Sequence, residues 1–472
     1  MSERRIHSAR ANSCGGLGGK STKSPPNETM DPVDFLEKKI SGLKIDGYEI
    51  YRRESRQMTI ESKEEQVEFS EKAVSHGIAV QLFAGGKIGF ASTSEESQPF
   101  LERVAQLAYN TLGLVEEGVV IDLPKKGSVP SMKIEKDEGL ARRSFDEKAH
   151  LAIQLEQKAR RFDRRITRLR SVRYEEEEET IRIKNSNGFD EGYSRTLCEL
   201  SLMAMAEEKG QQEMAWESQF SPYFKELDPA DTGERAAERA VSLLGAKPIS
   251  SCKTPVFLDP HVAASFLSVW ASSFLGDQVM KGKSILKDHL GDSFYSKEIC
   301  LIDDGRRSCG YASSPFDGEG VATQKTELVR EGKVLGYLHD RTSAVRLKMH
   351  RTGNGARPVY KELPRVGVTN FYLEPGSGSR DDLLREMKKG FWIVDVIGVH
   401  TVDTVTGDFS LGAAGFWVEG DKRRPVRGVA VSGNLHQLFR KVIRVGNDLR
   451  FYNAYGSPSL LVSEMDLGGV QT

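Results

Sequence analysis

Several chemical signatures are missing from this 472-residue chain. No Cys-x-x-Cys occurs, and the five cysteines (Cys14, Cys198, Cys252, Cys300, Cys309) are odd in number and scattered. That excludes a disulfide framework and reads as reduced thiols of a cytoplasmic protein. The nine histidines form no His-x-x-x-His and no His-x-His, and none is followed by Glu. A helical zinc-hydrolase motif is therefore excluded. No apolar run approaches the ~20 residues that a membrane span needs. Neither sign of charge is in excess, with 67 basic and 68 acidic residues, so no whole-protein field draws the chain to DNA or to an anionic membrane. There is no P-loop. The glycine cluster Gly15–Gly19 follows no strand, so it is no dinucleotide fingerprint.

What is present points to a globular protein of two to three domains. Residues 1–29 are rich in Ser, Gly, Arg and Lys and read as a disordered tail, with Met30 a candidate start of the folded chain. Residues 30–115 read as an α+β subdomain. Asp31-Pro32 opens a helix through Val33, Leu36 and Ile40. Strands are expected at 48–51, 57–61 and 66–69, then a hairpin turning at Gly85-Gly86. Thr93-x-x-Glu96 has the form of a capping box, opening a helix whose stripe is Phe100, Val104, Leu107 and Leu112.

Residues 116–143 are a charged, Pro- and Gly-punctuated linker. A second capping box, Ser144-x-x-Glu147, starts a region at 144–250: one helix, a meander of long antiparallel strands turning at Asn187-Gly188 and Lys209-Gly210, and an alanine-rich helix over 232–244. Seven arginines lie between Arg160 and Arg173. They fit either a nucleic-acid footprint or a helix end and strand facing Glu175–Glu179. The lack of interleaved aromatics favours the second.

The region 251–472 opens on Thr254–Asp277. Val256–Leu258 is a strand, Asp259 a cap, Pro260 a first-turn proline, and Val262, Phe266, Val269 and Trp270 recur at helical spacing. From Val262 to Leu275 there is no His, Glu, Asp, Lys or Arg. His261 reads as a surface or capping residue. The remainder reads as mainly antiparallel β structure with one further short helix at 380–389. Asp303-Asp304 and Asp317/Glu319 read as turn chemistry, and Ser432-Gly433-Asn434 and Gly446-Asn447-Asp448 as turns needing left-handed backbone. Gly412-Ala413-Ala414-Gly415-Phe416-Trp417 has two readings: a strand edge that pairs with an extended peptide or partner subunit, or a tight packing crossing.

An ordered set of segments carries a resemblance. It comprises Val67–Ser70, Gly77–Val80, Ile88–Ser94, Tyr311–Gly320, Arg351–Asn354, Thr406–Asp421, Val431–Leu435 and Val445–Leu449. Together they resemble the TldD/PmbA family, metalloprotease-related "modulator of DNA gyrase" proteins, over roughly residues 45 to 470. The resemblance implies one of two kinds of subunit. The TldD kind carries His-Glu-x-x-x-His on the helix after the first strand of the last domain, with a late Cys ligand. The PmbA (TldE) kind lacks both.

Set against that pattern, the motif positions here are Leu267, Ser268 and Ser272, and the late Cys position falls near Ala454-Tyr455-Gly456. None supplies a zinc ligand or a base. The resemblance therefore implies a PmbA/TldE-like subunit with no metal or catalytic residue of its own. Its implied partner is a zinc-bearing TldD-type subunit, and its substrates are unfolded peptides or peptide precursors. A stand-alone homodimeric peptide-binding protein and a gyrase- or DNA-modulating binder remain as alternatives.

Overall fold

The computed structural model describes residues 30–114 and 122–469. The expected tail 1–29 and the first part of the 116–143 linker lie outside the described residues. Asp31 caps α1 (Pro32–Ile40), accepting the Val33 N–H at 2.9 Å. Then come β1 (Gly47–Lys63), β2 (Gln66–Ala84), β3 (Lys87–Thr93), α2 (Gln98–Asn110), α3 (Phe145–Phe162), β4 (Ile166–Asn185), β5 (Asp190–Glu208), β6 (Gln211–Ser221) and α4 (Pro229–Ser242). The strands form one antiparallel sheet in the order β3-β2-β1-β4-β5-β6. Its helix-covered face packs α1 and α2 at one end, through Leu36, Leu101 and Val104. At the other end it packs α3 and α4, through Leu155, Ala159, Ala236 and Ala240.

The expected short strands at 48–51 and 57–61 are one 17-residue strand, and 66–69 belongs to a 19-residue strand. The Ser144 capping box forms, with Glu147 reaching back to the Ser144 N–H at 2.8 Å. The Thr93 box does not. Thr93 Oγ1 accepts the Glu95 N–H, Glu96 holds Arg52 in a two-pronged ion pair, and α2 starts after Ser97. That shift turns Leu101, Val104, Ala105 and Ala108 inward and leaves Phe100 and Leu107 exposed. Three of the seven arginines have ion-pair partners nearby, none of them within Glu175–Glu179. Arg160 pairs with Glu156, Arg165 with Asp163 and Arg173 with Glu61.

The C-terminal half contains β7 (Cys252–Leu258), α5 (Pro260–Trp270), α6 (Gly276–Met280), β8 (Leu301–Asp304), β9 (Lys325–Arg330), β10 (Lys333–Val334), α7 (Arg341–Leu347), β11 (Gly355–Ala356), β12 (Arg365–Val366), β13 (Phe371–Leu373), α8 (Arg380–Met387), β14 (Lys389–Ile397), β15 (Asp408–Glu419), β16 (Lys422–Asn434), α9 (Leu435–Arg440), β17 (Val442–Val445), β18 (Arg450–Tyr452), β19 (Tyr455–Ser457) and β20 (Leu460–Gly468). α8 is the further helix expected from the sequence; α6, α7 and α9 were not legible there. Pairing is mainly antiparallel, but β7 runs parallel to β14 and β13 parallel to β19. The ring β16-β15-β14-β7-β20 closes because β20 also pairs with β16. A second sheet runs β10-β9-β8-β13-β19-β18.

α5 lies in the core beside both sheets. Trp270 stacks on Phe439 with centroids 3.9 Å apart and donates its indole N–H to Tyr295 Oη at 3.0 Å. Burying so large an aromatic body while satisfying its polar end contributes about 2–3 kcal/mol. Two expected turns are not left-handed backbone. Ser432-Gly433-Asn434 ends β16, with Asn434 capping α9, and Gly446 has no positive φ. Among the described residues, no helix is long and apolar enough to cross a membrane.

Gly412–Trp417 lies within β15, which pairs with β14 on one side and β16 on the other. Its backbone offers no free edge, because both sets of hydrogen-bonding groups are used inside the ring. A Cβ at Gly415 would collide with the Trp392 carbonyl oxygen, whereas at Gly412 the nearest atom would be 3.7 Å away. Gly415→Ala should therefore cost about 3 kcal/mol or more and Gly412→Ala at most about 0.5 kcal/mol. Urea unfolding of the two variants checks this, and equal midpoints would refute the crossing.

Candidate functional site

A cleft of about 950 Å³ lies between the bare face of the N-terminal sheet and the C-terminal half. α5 and the turn after it supply one wall through Ser268, Ala271, Ser272, Leu275 and Asp277. The sheet supplies another through Tyr51, Arg53, Glu179, Tyr193 and Arg195. The loops 311–318, 353–358 and 365–369 and Tyr455 complete it.

Strand alternation places the sheet residues. Arg53 on β1 and Glu179 on β4 point to the face that the helices leave bare. Arg53 Nε donates to Glu179 Oε1 at 2.6 Å and Arg195 Nε to Glu179 Oε2 at 2.8 Å. Burial opposes the charge on Glu179, but Arg195 and Arg53 hold its carboxyl below the usual range. The same arginines cross the cleft, Arg53 to the Pro358 carbonyl at 2.9 Å and Arg195 to the Tyr311 carbonyl at 3.1 Å.

At the back of the cleft, Glu49 of β1 is fully buried and meets two arginines of the C-terminal half. Arg357 Nη2 donates to its Oε1 at 2.7 Å, and Arg341 Nη1 lies 3.0 Å from its Oε2. Arg341 also pairs with Glu319 at 2.9 Å. Asp317 accepts the backbone N–H groups of Gly355, Glu319 and Val321 at 2.7–3.0 Å. Burial and the neighbouring Glu319 push its carboxyl well above the usual range. Asp303 sits in β8 and accepts from Asn354 Nδ2, Thr369 N and Thr369 Oγ1. Burial raises it to about 6. Turn chemistry was expected for Asp303-Asp304 and Asp317/Glu319. Asp304 does cap a turn, accepting the Arg306 N–H, and Asp317 holds its own loop through the Glu319 and Val321 N–H groups, but Asp303, Asp317 and Glu319 are also buried organisers of the cleft loops.

The positions singled out on α5 separate. Leu267 is fully buried in the core, while Ser268 and Ser272 face the cleft together with Tyr455. Ser268 Oγ donates to the Ser265 carbonyl at 2.7 Å, and Ser272 Oγ to the Val269 carbonyl at 2.8 Å. Gly412–Trp417 does not contribute to this cleft. His261 is half-buried at the seam between the halves, between Trp216 and Tyr452, rather than on the surface. Burial and Arg239 lower its pKa to about 4. The Glu49 network escaped sequence reasoning, although the Asp-Gly-Glu-Gly run at 317–320 marked one end of it.

Family models now give this geometry a context. The PmbA/TldA metallopeptidase domain 1 matches residues 48–110, the central domain 138–244 and the C-terminal domain 251–469. The chain belongs to the TldD/PmbA family. The metalloprotease PmbA of Escherichia coli O157:H7 is 27% identical over 438 residues, covering 90% of this chain and 93% of that protein. A crystal structure from Thermotoga maritima, described as a candidate modulator of a DNA gyrase, superposes with a TM-score of 0.85 at 26% identity, over 92% of this chain and 100% of that one. TldE from Thermococcus kodakarensis shares the fold at a TM-score of 0.83 and 19% identity, over 93% and 99% of the two chains.

Relatives in this family are named metalloproteases, so the residues must be tested for a metal. At the expected motif positions the chain presents Leu267 and Ser272 for the two ligands and Ser268 for the base, both serines being bonded back to main-chain carbonyls. Among the described residues no group of three or more His, Cys, Asp or Glu is placed to hold an ion. These donors do not fit zinc, which takes imidazole, thiolate or carboxylate.

Asp303 yields a pH test. It keeps its proton to about pH 6 when folded, against 3.8 for a free aspartate. Its contribution to stability is therefore full below about pH 4 and lost as pH rises through 6, by about 3 kcal/mol. Asp303→Asn should remove that slope, seen as a smaller change in urea midpoint between pH 4.5 and 7. Parallel pH profiles of variant and wild type would count against it.

Proposed function

We propose that this chain is a non-catalytic PmbA/TldE-like subunit that pairs with a zinc-bearing TldD-type subunit. The pair would form a cytoplasmic peptidase acting on unfolded peptides or peptide precursors. One observation carries the reading: at the positions that the resemblance assigns to the zinc motif, this chain turns two hydroxyls and no ligand into the cleft. A cleft lies in front of those hydroxyls. Its volume lies in the range of ligand-binding sites, and aromatic, guanidinium and backbone groups wall it. In this reading it shapes and screens the chamber in which the partner's metal works, and it contributes no acid, base or nucleophile.

The test is reconstitution. The purified chain should bind no stoichiometric zinc and hydrolyse no unfolded peptide. Adding a TldD-type subunit should give a complex that does both. Ser272→Trp, which fills the cleft, should leave the complex intact and slow hydrolysis roughly tenfold or more, because a bulky obstruction displaces the substrate from a reactive position. Intrinsic zinc and activity in the lone chain would overturn the proposal.

A further inference from the structure

The N-terminal sheet has one open edge that the cleft does not use. β3 covers only Ile78–Ala84 of β2, while Gln66–His76 pairs with β1 alone. Every residue of that segment is exposed, and among the described residues no other strand lies against it. Of the usual blunting devices the edge carries one bulge, at Glu68, and three charged side chains, Glu68, Glu71 and Lys72. It has no proline and a single lysine, Lys72, and it exposes Phe69 (46%) and Val74 (66%). Beside Val74, the exposed Phe145 at the start of α3 extends the apolar patch. A long unpaired strand edge is a template for another strand.

We propose that the occupant is a second copy of this chain, its own Gln66–His76 running antiparallel to this one about a two-fold axis at Ser70. Identical edges satisfy each other and close the assembly, leaving no edge for a third copy. Charge selects the register. An axis at Glu71 would set two glutamates against each other, and an axis at Lys72 two lysines. At Ser70, Glu68 of each copy faces Lys72 of the other and Val67 faces Ala73, and both contacts occur twice.

The local irregularity suits this arrangement. β1 skips Glu68, pairing Glu61 with Phe69 and Ser62 with Val67, and such a bulge re-aims the extra side chain. Glu68 now holds only the exposed Lys63, at 2.5 Å, a contact of little worth. An axis normal to the sheet joins the two six-stranded sheets into one and opens both clefts on the same side. The surface does not line the cleft, and the inference does not rest on the pairing with a TldD-type subunit.

Sedimentation velocity on the full chain tests it. The wild type should form a dimer. Glu68→Lys alone and Lys72→Glu alone should each raise the dissociation constant roughly tenfold or more, since two attractive cross-strand contacts become repulsive. Both substitutions in one chain, or an equimolar mixture of the two single variants, should restore the dimer. These residues are exposed, so unchanged thermal unfolding of the dissociated variants will show that folding is intact. Amide exchange across 66–76 should slow on dimerisation. A monomer at about 100 μM, a dimer indifferent to both single variants, or pairing of this edge only with a TldD-type subunit or a peptide would each overturn the proposal.

Discussion

A single buried carboxylate, Glu49, ties the two halves of the molecule together. It sits on a strand of the N-terminal sheet, and its counter-charges, Arg341 and Arg357, come from more than 290 residues further along the chain. Such a pair is a poor source of raw stability, because removing the charges from water costs several kcal/mol that their attraction only offsets. Its value lies in geometry. Once one partner is buried, the other must be in place, or an uncompensated charge is left inside at a cost of about 3–5 kcal/mol. The guanidinium of Arg357, 4.3 Å from the Tyr51 ring centroid, fixes the approach further. The cleft is the space this lock leaves in front of it, so the spacing of its walls is set by buried ions rather than by a hinge.

The cleft's chemistry follows from the same arrangement. Several of its charged groups are already engaged with one another or with the backbone: Arg53 and Arg195 share Glu179, and Asp317 gathers three N–H groups. Groups committed in this way build walls and are poor agents of proton transfer. On the α5 side, hydroxyls turned back onto their own helix complete a lining that is polar and chemically quiet.

The parts legible in the sequence were those governed by local rules. Asp31-Pro32, Ser144 with Glu147, and Asp259-Pro260 each announced a helix start, because capping depends on a few adjacent residues. Thr93 with Glu96 had the same form and failed, since a distant residue, Arg52, claimed the glutamate. Gly433 and Gly446 looked like left-handed turns. They are glycines for other reasons, lying within a strand and against Ser459. The parallel pairing of β7 with β14 joins segments more than 130 residues apart and has no local signature. The α5 positions were legible for a different reason. A strand, a cap and a proline fix where the helix begins, so counting along it put Ser268 and Ser272 on one face; that this face meets the cleft needed coordinates.

The closed ring of the C-terminal half imposes an order on biogenesis. Its first strand, Cys252–Leu258, is flanked on one side by Leu460–Gly468, the last strand of the described chain. More than 200 residues must therefore emerge from the ribosome before the ring can shut, and contacts so distant in sequence form slowly. Until then Val256, Phe257 and Leu258 lack one neighbour and carry an unpaired backbone edge. A nascent chain stalled before residue 460 should thus be a client for chaperones, while the N-terminal sheet, whose strands all precede residue 222, can already be complete.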